Sequence, residues 1–472
     1  MRKHYLFGIG RLCDAVLADK TIALDEVSGL FDNEKAGLEK YGIRIQKPEY
    51  YSDTEVFITL HKRYHLEALK QLLNLGYLQI TIVHQTEQGY ERRHYDFSAY
   101  HCGQSRDCLI VLYLQHRSYS GISALMYMLE HRYVMLPEGF RVAVLEGNTD
   151  ETAYYYYAAK ADYFITERDR LAVYGKLVQL WHGFPLKALG HMMKSFKTEE
   201  NRTTNLWQRY DHIASYGQIY TDFMCACYGT HFGQYWVTGM PRNDLLFMTD
   251  GKQNLQEILP DSAGKKIIFY MPTFRELEHK KSSWIQVDGD ADGYLFYWED
   301  FNIDRLDQFC KEHNLYFVFK LHPSDASKVK TWCVSSDYIG ILTDGMLMNK
   351  CMYEYLNAAD VLITDYSSVY FDYLLLDRPI VFTDRDVNSY AAHRGVILEP
   401  LEFWRPGAVV HTMDLLIQEL EKALDNQNYY GEERKRLMPL VHRYQDGQST
   451  KRLFEMIETD WKSMQQNERG DR

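Results

Sequence analysis

From Cys108 onward the chain repeats one unit: a short apolar run, then a segment with helical periodicity. The runs are Leu109–Leu114, Arg141–Leu145, Tyr163–Thr166, Leu177–Trp181, His212–Ser215 and Tyr235–Thr238. A break follows at Gly239-Met240-Pro241-Arg242-Asn243-Asp244. A second series then runs through Lys266–Tyr270, Tyr316–Lys320, Ile339–Leu342, Val361–Thr364 and Pro379–Phe382. Strands separated by helices are spaced for crossover connections, so the rhythm predicts an α/β fold with mostly parallel sheets covered by helices. Two consecutive series of similar size predict two facing Rossmann-like domains with a cleft between them.

Residues 1 to about 80 read as a separate, small α/β module. The run His4–Phe7 leads into Gly8-Ile9-Gly10-Arg11-Leu12-Cys13 and a helical stretch, and Asp32 follows the second strand. This is a truncated Rossmann pattern in which Cys13 replaces the third glycine of the dinucleotide fingerprint. It reads as a docking or structural module in preference to a dinucleotide site. Residues 81–103 are polar and read as a connection. The expected boundaries are a module over 1–80, a first Rossmann-like domain over 81–244, a second over 245–464, and a polar, disordered tail over 465–472.

A chain of 472 residues with 46% apolar residues can build such cores. The net charge of −12 argues against a general nucleic-acid binder. No apolar stretch reaches membrane-spanning length, and Tyr5-Leu6-Phe7 begins a strand without a signal-peptide pattern. The eight cysteines are scattered and read as reduced thiols of a cytoplasmic protein.

In an open parallel sheet, ligands bind at the carboxyl ends of the strands. Four motifs occupy such ends. In Ala359-Asp360-Val361-Leu362-Ile363-Thr364-Asp365-Tyr366-Ser367-Ser368 a strand runs into Asp365 and two hydroxyls, ahead of an apolar-periodic helix. Unpaired N–H groups and the positive end of a helix favour an anion there, and Ser367 and Ser368 stand where capping or phosphate-binding hydroxyls stand. Trp181-His182-Gly183-Phe184-Pro185 puts an imidazole on a constrained turn. Met271-Pro272-Thr273-Phe274-Arg275 offers a hydroxyl and a guanidinium fork. Phe319-Lys320-Leu321-His322-Pro323 offers a cation and a second imidazole. Together these groups suit phosphoryl chemistry, in which cations hold charge and an imidazole activates a hydroxyl. No metal or ATP motif accompanies them: Asp360 and Asp365 are five apart across a strand, so they point to opposite faces and do not read as a metal pair.

The stretch Leu186–Lys197 shows apolar residues on one helical face and lysines outside it, and reads as a core helix with a membrane-contacting alternative. The tyrosine run Tyr154–Tyr157 reads as packing surface.

In their order, Trp181-His182-Gly183-x-Pro185-Leu186-Lys187, Gly239-x-Pro241-Arg242-Asn243-Asp244, Pro272-Thr273-x-Arg275, His322-Pro323 and Asp360-x-Leu362-Ile363-Thr364-Asp365-Tyr366-Ser367-Ser368 resemble the CDP-glycerol glycerophosphotransferase family. Arg394-Gly395, Pro406-Gly407 and Asp446-Gly447-x-Ser449 are similar to its later signposts, so the resemblance covers about 105–460. Phe184 stands where a small polar residue is common in the family motif.

The resemblance implies a GT-B-like fold, acceptor side first and nucleotide side second. It implies transfer of a polyol phosphate, glycerol phosphate first among the options, from a CDP-activated donor to a hydroxyl of a glycan or lipid-linked glycopolymer, with release of CMP. The pathway would be that of teichoic acid, capsule or a related surface polymer. His182 would be the base on the acceptor hydroxyl, and His322 would contact the donor pyrophosphate. Thr273, Arg275, Asp365, Ser367 and Ser368 would hold the phosphates or the glycerol end; Lys320 joins them on its charge and position. No cofactor or metal is required. The expected location is cytoplasmic, with peripheral contact at the inner face of the cell membrane. The competing readings are a GT-B glycosyltransferase using a nucleotide sugar and a non-catalytic nucleotide-binding assembly protein.

Overall fold

The computed structural model describes residues 3–100, 107–118, 120–167, 173–193, 206–273, 298, 300–320, 336–383 and 395–470. The chain forms two compact units. One comprises 1–115, 138–165 and 170–177; the other comprises 116–137, 166–169 and 178–472.

The first unit is built on strands β1 (Lys3–Phe7), β2 (Val27–Phe31), β3 (Glu39–Lys40), β4 (Ile43–Gln46), β5 (Thr54–Ile58), β6 (Gln79–Thr86) and β7 (Gly89–Asp96). Their order in the sheet is β3-β4-β2-β1-β5-β6-β7. The five inner strands are parallel and the two edges antiparallel. The helix His65–Leu75 buries Ala68, Leu69, Leu72 and Leu73, a stripe at helical spacing, against Ile58, Ile80 and Ile82. Gly76, at φ +105°, ends this helix, and its N–H donates to the Leu72 carbonyl. The helix Arg11–Ala18 contributes Cys13 and Val16 to a second core cluster with Leu6, Leu30 and Phe57.

The polar connection expected over 81–103 is instead a hairpin, because β6 and β7 pair in register from Gln79↔Asp96 to Thr86↔Gly89. β7 is an edge strand, and its exposed Glu91, Arg92, Arg93 and His94 are the polarity that hid it. In the same unit β8 (Cys108–Leu114) pairs in parallel with β9 (Phe140–Glu146) and β10 (Tyr163–Thr166). The tyrosine run lies in the helix Glu151–Lys160 and packs edge-on among other rings, as expected.

In the second unit β11 (Lys176–Gln179, counted from Val178), β12 (His212–Ser215) and β13 (Tyr235–Val237) are parallel neighbours. A further sheet comprises β14 (Lys266–Tyr270), β15 (Leu315–Lys320), β16 (Ile339–Leu342), β17 (Val361–Thr364), β18 (Ile380–Thr383) and β19 (Val409–Val410). It runs β16-β15-β14-β17-β18-β19, every pair parallel. This is the doubly wound strand order, with its switch point between β14 and β17. Strands β15, β17 and β18 are buried at every residue, which is why each reads as a continuous apolar run.

Two expectations differ from the structure, one for a helix and one for a disordered end. Leu186–Lys197 is not helical through its described part. Lys187 bridges Val396 antiparallel, Ala188 N donates to the Gly395 carbonyl, and a single 3-10 turn follows at Gly190–Met192. An extended partner satisfies this backbone, so helical spacing of the side chains does not decide its form. The polar end beyond 464, expected to be disordered, continues the helix Ser449–Gly470. Among the described residues no helix is long and apolar enough to cross a membrane.

Candidate active site

The carboxyl ends of β14 and β17 open into a cavity of about 570 Å³. Its lining includes His182, Lys187, Arg242, Thr273, Lys320, Tyr353, Ser367 and Ser368. Strands β11, β14, β15 and β17 each deliver part of this set at or just beyond their last residue. The cavity therefore lies where the strand order reverses, the place at which such sheets bind ligands.

His182 sits on a turn under backbone strain. Trp181, just before it, has φ +53°, an outlier for a bulky side chain. The turn is held by Trp181 N donating to Gln179 Oε1 at 3.0 Å and by the Trp181 ring against Trp207 at 4.9 Å. The imidazole lies 3.9 Å from the Trp181 ring, centroid to centroid. Protein surrounds the turn, yet the ring itself is exposed to solvent on the cavity side. Displaced water, then the Arg242 and Lys187 cations, lower its pKa from 6.5 to about 4. His182 is thus a neutral base at physiological pH.

Gly183 brings this turn against the β17 end. A Cβ there would stand 2.5 Å from Ser368 Oγ and 3.3 Å from Ser368 Cβ, so glycine allows this approach with the Ser368 hydroxyl left in place. Lys187 Nζ reaches Thr273 Oγ1 at 3.5 Å.

The Asp365–Ser368 element divides its labour. Asp365 is 1% exposed, and its Oδ1 accepts from Thr273 N at 2.7 Å and Ser367 N at 3.1 Å. It ties the two strand ends together from below, while Ser367 and Ser368 face the cavity. Ser368 occupies the N-cap position of the helix Val369–Tyr373 without a side-chain capping bond, which separates the two roles that the sequence leaves open for it. That helix is only five residues long before a 3-10 turn at Leu374–Leu376. The dipole expected behind the serines is correspondingly small, and the hydroxyls and nearby cations carry the attraction for an anion.

Lys320 closes β15 with its side chain buried and its Nζ 2.6 Å from Asp344 Oδ1. Arg275 and His322 lie outside the described residues. Phe184 points into an aromatic cluster, 4.6 Å from Phe371 and 5.6 Å from Tyr216, centroid to centroid. The bulk of this residue, unusual in its motif, is therefore absorbed by the core.

A buried group behind the site is not announced by the sequence. Arg242 Nη1 donates to the His182 carbonyl at 2.5 Å, and Nη2 donates to Asp372 Oδ2 at 2.6 Å. Arg242 stands in a stretch that the motifs already mark and Asp372 in the helix just after one, but nothing in their spacing announces the pairing.

The family model described as CDP-glycerol:poly(glycerophosphate) glycerophosphotransferase matches residues 111–459. The teichoic acid ribitol-phosphate polymerase TarK of Staphylococcus aureus is 30% identical over 312 residues, 63% of this chain and 56% of that protein. The teichoic acid glycerol-phosphate primase of Bacillus subtilis is 29% identical over 289 residues, 60% of this chain and 68% of that protein. The chain spans about half the length of the ribitol-phosphate polymerases it matches, TarK and TarL of Staphylococcus aureus. Among solved structures, the wall teichoic acid polymerase TagF superposes with a TM-score of 0.57 at 21% identity, covering 76% of this chain and 89% of that one. This likeness concerns the fold: α/β, with several parallel sheets, resembling the GT-B-like architecture.

Proposed function

The chain belongs to the CDP-glycerol:poly(glycerophosphate) glycerophosphotransferase family, and from that premise we propose that it transfers a polyol phosphate from a CDP-activated donor to a hydroxyl of a surface glycopolymer. Glycerol phosphate is the first donor group to test and ribitol phosphate the second. One observation carries the reading: an imidazole, two lysines, an arginine and the hydroxyls of Thr273, Ser367 and Ser368 line a single cavity at the switch point of a parallel sheet.

In this reading the acceptor hydroxyl gives its proton to His182. Its oxygen attacks the phosphorus that bears the polyol, the bond from that phosphorus to the bridging oxygen breaks, and CMP leaves. Lys187, Thr273, Ser367 and Ser368 hold the phosphate oxygens. Lys320 joins them by sharing its charge between Asp344 and the donor. His322 and Arg275 would complete the donor side, as the resemblance implies. Asp365 acts by holding the Thr273 and Ser367 main chains in place. The reaction runs at the cytoplasmic face of the membrane, between two Rossmann-like domains of GT-B type, and needs no metal.

The test is CMP release from CDP-glycerol and CDP-ribitol in the presence of glycopolymer acceptors, with the product read by mass spectrometry. Replacing His182 with Ala is expected to lower turnover by about 10²–10⁴-fold, the usual worth of a positioned base. Release of UDP or GDP from a nucleotide sugar, with no CMP from either CDP-polyol, would replace this reading with that of a sugar transferase.

A further inference from the structure

Behind the His182 turn lies a buried polar cluster, of which Arg242 and Tyr353 also reach the cavity wall. Arg242 is 3% exposed and Asp372 is fully buried. The Asp372 carboxylate accepts from Arg242 Nη2 at 2.6 Å, the Tyr216 hydroxyl at 2.8 Å, Asn243 Nδ2 at 2.9 Å and the Tyr353 hydroxyl at 2.5 Å. The guanidinium lies over the Tyr353 ring at 4.7 Å. Its other nitrogen, Nη1, holds the His182 carbonyl. Asp372 sits on the helix that Ser368 begins. One side chain therefore links the main chain of the proposed base to the helix that opens at the proposed phosphate site.

We propose that Arg242, clamped by Asp372, is the positioning residue of the transfer: it fixes the His182 turn and registers the imidazole against the Ser367–Ser368 edge. The proposal deepens the phosphotransfer reading and rests on it. A guanidinium suits the task because its planar fork serves two acceptors in fixed directions, which an ammonium cannot do. The task exists because the turn is strained at Trp181 and must be held from outside. Charge works in the same direction. The ionisable groups acting on the imidazole are Arg242, from the 3-10 turn Pro241–Asp244, and Lys187, from its own loop, and both oppose its protonation.

Three variants separate these effects: Arg242→Lys, Arg242→Gln, and Arg242→Gln combined with Asp372→Asn. The double variant leaves no lone buried charge and guards against simple unfolding. Thermal unfolding reports the fold, CMP release reports kcat and donor KM, and a titration of ¹³C-labelled histidines reports the ring directly. The His182 signal is the one lost in His182→Ala. Arg242→Lys should keep the low titration midpoint yet lose kcat on the order of 10²-fold, as expected for a misplaced reacting group. Both Gln variants should lose kcat similarly and move the midpoint upward, toward the ordinary histidine value, with donor KM little changed.

A folded Gln variant with wild-type kcat and an unmoved midpoint overturns the proposal. So does a loss of activity that only tracks the fraction unfolded. Failure of the phosphotransfer reading looks different: the wild-type chain itself releases no CMP. The titration then decides alone, and an unmoved midpoint overturns the role of Arg242.

Discussion

His182 can act as a base only while its imidazole is neutral, and the sign of its pKa shift decides when that holds. Burial of the turn and two nearby cations lower the folded-state value from 6.5 to about 4. The neutral form is therefore complete through neutral pH and is lost only as pH falls through the lowered value. The acid limb of kcat/KM for CMP release is expected well below 6.5; a limb centred on the ordinary histidine value would mean that neither the loss of water around the ring nor the two cations are felt. Gly183 makes a second, steric prediction. Gly183→Ala puts a methyl group 2.5 Å from Ser368 Oγ, so either that hydroxyl rotates out of its place at the cavity or the turn shifts from the β17 end. A fall in kcat on the order of 10²-fold is expected, with the melting temperature little changed, because the displacement lies at a cavity edge. His182, Thr273, Lys320, Ser367 and Ser368 were legible in the sequence because each follows or ends an apolar run. Arg242 and Asp372 were not. They lie 130 residues apart, and one chain carries no direct record of which buried charges meet.

Elements were legible where burial made them uniform. Strands β15, β17 and β18 are covered on both faces, so they read as unbroken apolar runs. The hairpin β6–β7 escaped because an exposed edge strand is polar, and Leu186–Ala188 misled because its partner is another extended segment. The Asp365 turn shows what an element boundary can hide: a residue beside the phosphate-facing serines that works through the backbone. Asp365→Ala should strand the Thr273 and Ser367 N–H groups and lower stability by about 1–3 kcal/mol, read by denaturant unfolding. Asp365→Asn keeps one acceptor oxygen and should retain most of that stability and of the donor KM. A large activity loss in the Asn variant, with stability intact, would instead assign the carboxylate's charge to the substrate. Phe184 makes the complementary case for packing. Phe184→Ala should cost about 3–5 kcal/mol, since its ring fills a cluster with Phe371, Tyr216 and Tyr220.

The doubly wound order occurs twice in the molecule, with opposite use of its switch point. In the second unit the ends of β14 and β17 open into the cavity. In the first unit the switch point falls between β1 and β5, under the glycine-containing turn. There Gly8, at φ +97°, also faces Leu60, whose Cδ2 would lie 2.3 Å from a Cβ; backbone conformation and packing account for this glycine without a ligand. Asp32, which in a dinucleotide site would face a ribose, accepts instead from Ile9 N at 2.9 Å and from Glu34 N and Lys35 N at 3.0 Å. Lys35 Nζ closes the same turn on the Ile9 carbonyl. The carboxylate is spent on its own loop, so this module is expected to bind no nicotinamide dinucleotide. Melting of the whole chain should not rise with NAD or NADH. Saturating CDP-polyol, by contrast, should stabilise it by about 2.7 kcal/mol at a hundred times Kd. Asp32→Ala should loosen the turn by about 1–3 kcal/mol and leave CMP release unchanged. A rise in melting temperature with NAD, or a loss of CMP release in Asp32→Ala, would show instead that the first unit takes part in the chemistry.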